Sequence, residues 1–95
     1  MRREIIYSRH ADADVERLEA FIAADSKRQA ARAIARIISG LQNLQDFPEL
    51  GKEIGGGFRQ IVLRHGKRGY VIRYRVLDTI IVVTRIWHGL EDRPG

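Results

Sequence analysis

Arginines recur in the second half of the chain at spacings that could place several of them on one face of a β-sheet. Arg73 and Arg75 lie two residues apart in one strand-like segment, and Arg85 lies in the next. Because alternate strand residues point to the same face, we expect these three to share a face and Arg59 to join them from the preceding strand. A guanidinium is a planar fork of donors that suits phosphate or carboxylate.

Such a face could serve the cleavage of RNA by its own 2′-hydroxyl. That reaction needs an acid, a base and a cation near the non-bridging oxygens. His88 or His65 could transfer the proton, and Arg59, Arg73, Arg85 and His88 together form a candidate catalytic site. The alternative is that the arginines lie along a solvated outer face or pair with the carboxylates of a partner.

Other chemistries find little support in the sequence. The histidines at positions 10, 65 and 88 are scattered and lack metal-ligand spacing. Three glycines at 55–57 lack the Lys-Ser/Thr of a phosphate-binding P-loop, and they precede a strand rather than a helix. Cysteine is absent, which excludes disulfides, thiolate metal sites and cysteine nucleophiles. We therefore expect no cofactor and no metal.

The charge balance points to an acidic partner. Seventeen Lys and Arg residues against twelve Asp and Glu residues give a net charge of +5 at pH 7. No acidic residue occurs between positions 27 and 45 or between positions 58 and 77. A small basic protein of this kind suits a nucleic acid or an acidic protein segment. The basic residues that we expect to meet such a partner are Lys27, Arg28, Arg32, Arg36, Arg73 and Arg75.

The length of 95 residues predicts a single domain, 1–95. A composition of 44% hydrophobic and 31% charged residues is typical of a folded, soluble protein. The longest aliphatic run, Ile80–Val83, is far shorter than the ~20 residues of a membrane helix. The first residues contain no apolar stretch typical of a secretion signal, so we expect a cytoplasmic location.

Periodicity predicts a short strand followed by two helices. Residues 2–7 favour a strand, and Ser8 or Asp12 could cap a helix that ends near Ala24. Ser26 and Gln29 form a capping box at the start of a second helix, which Pro48 ends. Both helices carry an apolar stripe at helical spacing, so they should pair as an antiparallel hairpin that needs a third layer.

The third layer is predicted from the remaining residues. Residues 47–57 are typical of a loop, whereas 58–64, 70–77 and 80–87 favour strands of an antiparallel meander. In the last strand, alternation places residues 80, 82, 84 and 86 opposite 81, 83, 85 and 87. The predicted fold is a two-layer α+β domain. We expect its core to include Leu18, Ile22, Ile34, Ile37, Ile38, Leu41, Ile72, Tyr74, Val82 and Ile86.

The order strand, helical hairpin, meander resembles the ParE/RelE superfamily of toxins from type II toxin–antitoxin systems. The resemblance covers nearly the whole chain and rests on motifs at 14–22, 47–51, 70–76 and 85–94. In sequence these are Asp14–Ile22, FPELG, YVIRYRV and RIWHGLEDRP. The His-Gly-x-x-Asp ending is more similar to ParE, the plasmid stabilisation protein, than to RelE.

The resemblance implies two different activities. ParE-like toxins inhibit DNA gyrase without catalysing a reaction, by stabilising the cleaved DNA complex. RelE-like toxins cleave mRNA on the ribosome, with basic sheet residues and a C-terminal Tyr or His. No tyrosine follows Tyr74 here, which favours ParE, while His88 keeps the endoribonuclease as the alternative. In either case the resemblance implies that an antitoxin neutralises the toxin. The C-terminal segment of the antitoxin wraps the toxin, so that the two form a hetero-oligomer. For a ParE-like toxin, the resemblance implies a ParD-like antitoxin.

Overall fold

The computed structural model describes residues 2–65 and 68–89. Gly66 and Lys67, which lie between the second and third predicted strands, and residues 90–94 of the terminal motif lie outside the described residues. The elements are β1 (Glu4–Tyr7), α1 (Arg9–Ala23), α2 (Lys27–Asp46), a short 3-10 helix (Pro48–Leu50), β2 (Lys52–Gly55), β3 (Phe58–His65), β4 (Arg68–Val76) and β5 (Ile80–His88).

Side-chain caps begin both long helices. The Ser8 hydroxyl accepts a hydrogen bond from the Ala11 amide at 3.1 Å, which selects Ser8 rather than Asp12 as the cap of α1. The Ser26 hydroxyl accepts from the Gln29 amide at 3.2 Å, as the capping box predicts. Each bond satisfies one of the amides that a helix start leaves without a partner.

The five described strands form one mixed sheet in the order β1-β5-β4-β3-β2. β3, β4 and β5 are the predicted antiparallel meander, and β1 adds to its edge parallel to β5. The predicted α+β architecture is therefore confirmed. β2 lies within the stretch predicted as a loop, which is a correction. Its hairpin with β3 depends on Gly55, Gly56 and Gly57, whose φ values of 95°, 64° and 80° favour glycine.

The core lies between the helical hairpin and one face of the sheet, here called the inner face. Six predicted core residues are buried there: Leu18, Ile37, Leu41, Ile72, Tyr74 and Ile86. The prediction that Ile38 belongs to the core is wrong, because this residue is 47% exposed. Ile22 and Ile34 are only half-buried.

A bulge in β5 explains the remaining core error. Arg73 pairs with Arg85 and Tyr74 pairs with Val83, so Thr84 is an extra residue in β5. The Thr84 hydroxyl donates to the Arg73 carbonyl at 3.0 Å across this gap. Because an inserted residue reverses the alternation, Ile86 joins Ile81 and Val83 on the inner face, and the prediction that Val82 and Ile86 share the core face is wrong.

Candidate functional site

Three of the four predicted sheet arginines share the outer face, which is the face away from the helices. Arg73 and Arg85 are direct cross-strand partners, and Arg75 lies two residues further along β4. The Arg73 guanidinium lies over the buried Trp87 ring, 5.2 Å from its centroid. The Arg75 guanidinium lies 5.1 Å from the centroid of the Phe58 ring. Aromatic rings therefore orient both guanidinium groups.

Arg59 does not join this face, so that part of the sequence prediction is wrong. Arg59 pairs with Tyr74, whose buried side chain belongs to the inner face. Its guanidinium donates to the Gly51 carbonyl at 2.8 Å and contacts Glu53 at 3.5 Å. Arg59 therefore holds the loop that follows α2.

His88 also lies on the inner face, as the cross-strand partner of Tyr70. The ring centroids of His88 and Tyr70 are 5.4 Å apart, and His65 approaches the same Tyr70 ring at 6.0 Å. The structure thus brings Arg73 and Arg85 together but places Arg59 and His88 on the opposite face. The four candidates for RNA cleavage do not meet at one site.

Asp14 is a buried carboxylate that binds three donors at once. Its side chain is 2% exposed and accepts from Arg85 at 2.9 and 3.1 Å, from Arg17, and from the Ile86 amide at 2.8 Å. Burial by itself raises the pKa of Asp14, but the hydrogen bonds from these three donors outweigh burial and hold the pKa below its usual value. Asp14 is therefore ionised, and it fixes the position of Arg85.

The same helix completes the edge of β5 where β1 ends. The last pair of the β1–β5 ladder is Tyr7 with Val83. Beyond it, the Ser8 hydroxyl donates to the Thr84 carbonyl at 2.9 Å, and Arg17 donates to the Ile86 carbonyl at 3.3 Å. The side chains of Ser8, the N-cap of α1, and of Arg17 within α1 thus replace a missing strand, since buried backbone groups need partners.

Tyr74 joins the sheet to the loop after α2. Its hydroxyl donates to the Pro48 carbonyl at 2.7 Å and accepts from the Gly51 amide at 2.8 Å. Burial raises the pKa of Tyr74, although the Gly51 hydrogen bond and the Arg59 charge act in the opposite direction. A Cβ at Gly51 would lie 2.5 Å from the Tyr74 hydroxyl oxygen, so this close approach requires glycine.

Two of the surface depressions lie beside the candidate residues. The first, here called the arginine cleft, has a volume of about 550 Å³ on the outer face. It is lined by Ser8, His10, Ile54, Gly55, Phe58, Arg73, Thr84 and Arg85. Sequence reasoning missed Ser8, His10 and Phe58 as members of one site, because only the fold brings them together.

The second depression, here called the helix groove, runs along α1 and α2 in two parts of about 560 and 410 Å³. Ile34 and Ile38 line both parts, so the groove is continuous. Its other lining residues are Tyr7, Asp12, Val15, Glu16, Glu19, Ala23, Lys27, Ala30, Ala31, Ala35 and Ile37. The exposure of Ile38, which contradicts its predicted core position, is explained by its place in this groove.

The six predicted antitoxin-binding residues do not form one surface. Lys27 lines the helix groove. Arg36 donates to the Arg64 carbonyl at 3.0 Å and so lies beside β3. Arg28 and Arg32 are exposed on α2, while Arg73 and Arg75 belong to the outer face of the sheet. A partner that met all six would have to wrap around the domain.

Among residues 2–65 and 68–89, no group of three or more His, Asp or Glu residues is placed to hold a metal ion. In the same part of the chain, neither helix has the length and apolar character that crossing a membrane requires.

Comparison with known proteins places the sequence in a family. Residues 5–93 match the family described as the ParE toxin of the type II toxin–antitoxin system, parDE. The chain belongs to the ParE toxin family. As the toxin of a type II system, it has an antitoxin for a partner.

Two relatives from Caulobacter vibrioides support this assignment. The chain is 38% identical to "Toxin RelE1" over 89 residues, which cover 94% of this toxin and 96% of the relative. It is 32% identical to "Toxin RelE3" over 80 residues, covering 84% and 87% of the two chains. The relatives bear RelE names although the matching family is ParE, so these names leave the target of this toxin open.

The fold has a counterpart among solved structures. A chain of the "Chromosomal ParDE TA system from P. aeruginosa" superposes with a TM-score of 0.73, at 20% identity, covering 90% of this toxin and 95% of that chain. The two share the arrangement of helices and sheet.

Proposed function

We propose that this ParE-family toxin inhibits DNA gyrase by binding it, without catalysing a reaction. Membership of the ParE family supports this, because the family resemblance implies a gyrase inhibitor. The observation that carries the proposal is the dispersal of the four residues that RNA cleavage would need. General acid–base catalysis requires a proton donor or acceptor within hydrogen-bond reach of the reacting atoms. His88 and Arg59 lie across the sheet from Arg73 and Arg85.

The second candidate is a ribosome-dependent mRNA interferase, which the RelE names of the two relatives favour. Expression of the toxin in cells without antitoxin separates the two activities. Under the gyrase proposal, a DNA-damage response precedes growth arrest and mRNA lifetimes stay unchanged. Rapid mRNA decay without a DNA-damage response contradicts the proposal.

In this proposal the antitoxin is ParD-like and acts in the cytoplasm together with the toxin. Its C-terminal segment binds in the helix groove. The groove is apolar along its floor, and it leaves Ile38 47% exposed. An amphipathic segment that is disordered when free could fold against such a groove and cover a large area.

The charges beside the groove specify the segment further. Glu16 and Glu19 of α1 line one side, and Lys27 of α2 lines the groove close to the turn that joins the helices. The overall charge of +5 favours an acidic segment. Complementary charges guide association. The lining of the groove therefore favours an antitoxin segment with a basic residue opposite Glu16 and Glu19 and an acidic residue opposite Lys27.

Calorimetric titration of the toxin with the protein encoded beside it tests the groove. We expect a tight complex that Ile38→Lys weakens by about 100-fold or more, because a charge would be buried in the apolar floor. Val62→Lys is the matched control, since Val62 is 60% exposed on the outer face of β3. Equal affinity of both variants would contradict the assignment of the groove to the antitoxin.

A further inference from the structure

The arginine cleft has a defined floor and two walls, and the proposed inhibition of gyrase gives it no role. Its floor is formed by Arg73, Thr84 and Arg85 on two neighbouring strands. One wall comes from the start of α1, where His10 lies, and the other from the β2–β3 hairpin, where Phe58 lies. The cleft is separate from the helix groove, because the two have no lining residue in common.

The floor of the cleft places two like charges opposite each other. Arg73 and Arg85 are direct cross-strand partners, an arrangement that repulsion disfavours. The Nε of Arg73 is buried, and within the described part of the chain it has no hydrogen-bond partner. A buried donor without a partner is rare in native proteins and calls for a ligand or a water.

The neighbouring contacts prepare both guanidinium groups for an anion. The Arg73 guanidinium stacks on Trp87, and one of its Nη groups makes only a long contact of 3.5 Å with Gln60. Asp14 binds the Nε and one Nη of Arg85, so the second Nη remains for a ligand. Asp14 also binds Arg17, so one carboxylate offsets only part of the positive charge.

We propose that the arginine cleft binds the phosphate of a ligand the size of a mononucleotide. An oxyanion between Arg73 and Arg85 would accept hydrogen bonds from their Nη groups and offset the repulsion, with His10 as a further contact. The volume of about 550 Å³ lies within the range of small-molecule sites. The Phe58 ring in the wall offers a flat surface for a base. This proposal goes beyond the proposed inhibition of gyrase and does not rest on it.

The test is a titration of the free, full-length toxin followed by NMR of the arginine Nε–H groups. The probes are adenosine monophosphate, adenosine, inorganic phosphate and a single-stranded oligodeoxynucleotide without terminal phosphates. We expect the monophosphate to shift the Arg73 resonance and leave that of Arg59 unchanged. It should bind at least about tenfold more tightly than adenosine or phosphate alone, since a site that reads two groups loses affinity for either fragment.

Arg73→Gln should weaken binding of the monophosphate by about tenfold or more, because a charge-assisted contact is lost. The matched control is Arg64→Gln, because Arg64 is an exposed arginine of β3 on the same outer face of the sheet as Arg73. This change should alter the affinity by less than about twofold. Four results would overturn the proposal: an unmoved Arg73 resonance, equal binding of adenosine, equal binding of inorganic phosphate, or an oligonucleotide that binds far more tightly than the monophosphate. The resonance of the unaltered toxin decides the matter even if the Arg73 variant fails to fold.

Discussion

The two faces of the sheet use polar residues in opposite ways. On the inner face, the Tyr74 hydroxyl makes two hydrogen bonds, and the Asp14 carboxylate at the strand edge binds three donors. On the outer face, Arg73 and Arg85 face each other, and the buried Arg73 Nε has no partner among the described residues. The polar groups of the inner face therefore stabilise the fold, whereas those of the outer face include a donor that no described residue satisfies.

The largest expected effect tests where the inner face ends. Leu41 is 2% exposed and Ile38 is 47% exposed on the same helix. Leu41→Ala should lower the free energy of unfolding by about 2–5 kcal/mol, because it leaves a cavity in the core. Ile38→Ala should cost less than about 1 kcal/mol and should act on antitoxin affinity instead. Urea denaturation of both variants measures this, and equal losses would mean that the groove is part of the core.

Asp14→Ala should be the next largest loss, about 3 kcal/mol, because it leaves the Ile86 amide and Arg85 without their shared acceptor. The partial exposure of Arg85 keeps the value at the lower end of the range for a broken buried pair. Glu19→Ala, an exposed acid on the same helix, should change stability by less than about 0.5 kcal/mol. A loss of similar size in both variants would show that the Asp14 contacts contribute little.

The pH dependence of unfolding sharpens the same point. Because the pKa of Asp14 is lower in the folded state, its contribution to stability is complete above the unfolded pKa of about 3.9 and is lost as the pH falls through the folded pKa. Asp14→Asn should therefore make the loss of stability below that pH less steep. Parallel acid-denaturation curves for the two proteins would contradict the ionised Asp14.

Tyr74→Phe should cost about 2 kcal/mol, since the Pro48 carbonyl and the Gly51 amide would both lose a buried partner. Tyr7→Phe is the control, because Tyr7 is 38% exposed at the edge of the sheet. Thermal unfolding measures both changes. An unchanged melting temperature for Tyr74→Phe would show that water replaces the hydroxyl.

The smallest effect belongs to the outer face. Arg73→Gln should change stability by less than about 1 kcal/mol, because lost stacking on Trp87 is offset by relief from the charge of Arg85. A loss as large as that of Asp14→Ala would contradict the division between the two faces.

The sequence predicted the elements well and the positions of the sheet arginines in part, for physical reasons. Helical spacing, caps and strand alternation are local, so both helices and the three meander strands are found near their predicted positions. The bulge at Thr84 is not local, because only pairing with β4 reveals the extra residue that moves Ile86 to the inner face. Arg59 was misplaced for the same reason, since alternation within a strand does not fix which face meets the helices.

Asp14 shows a signal that the sequence did contain. It follows Ala11 by three residues and precedes Leu18 by four, so it lies on the apolar stripe of α1. A carboxylate on a core stripe predicts a buried charge with a partner. The arginine cleft had no such signal, because its walls come from positions 8–10 and 54–58, far from its floor along the chain.

The most direct test of gyrase inhibition uses purified toxin in two parallel reactions, one with gyrase and supercoiled DNA, the other with translating ribosomes and mRNA. Gyrase inhibition without chemistry predicts trapped, cleaved DNA in the first reaction and intact mRNA in the second. It also predicts that His88→Ala, if folded, still traps gyrase. Ribosome-dependent mRNA cuts that fall by about 10²–10⁴ in rate with His88→Ala, with gyrase unaffected, would contradict the account.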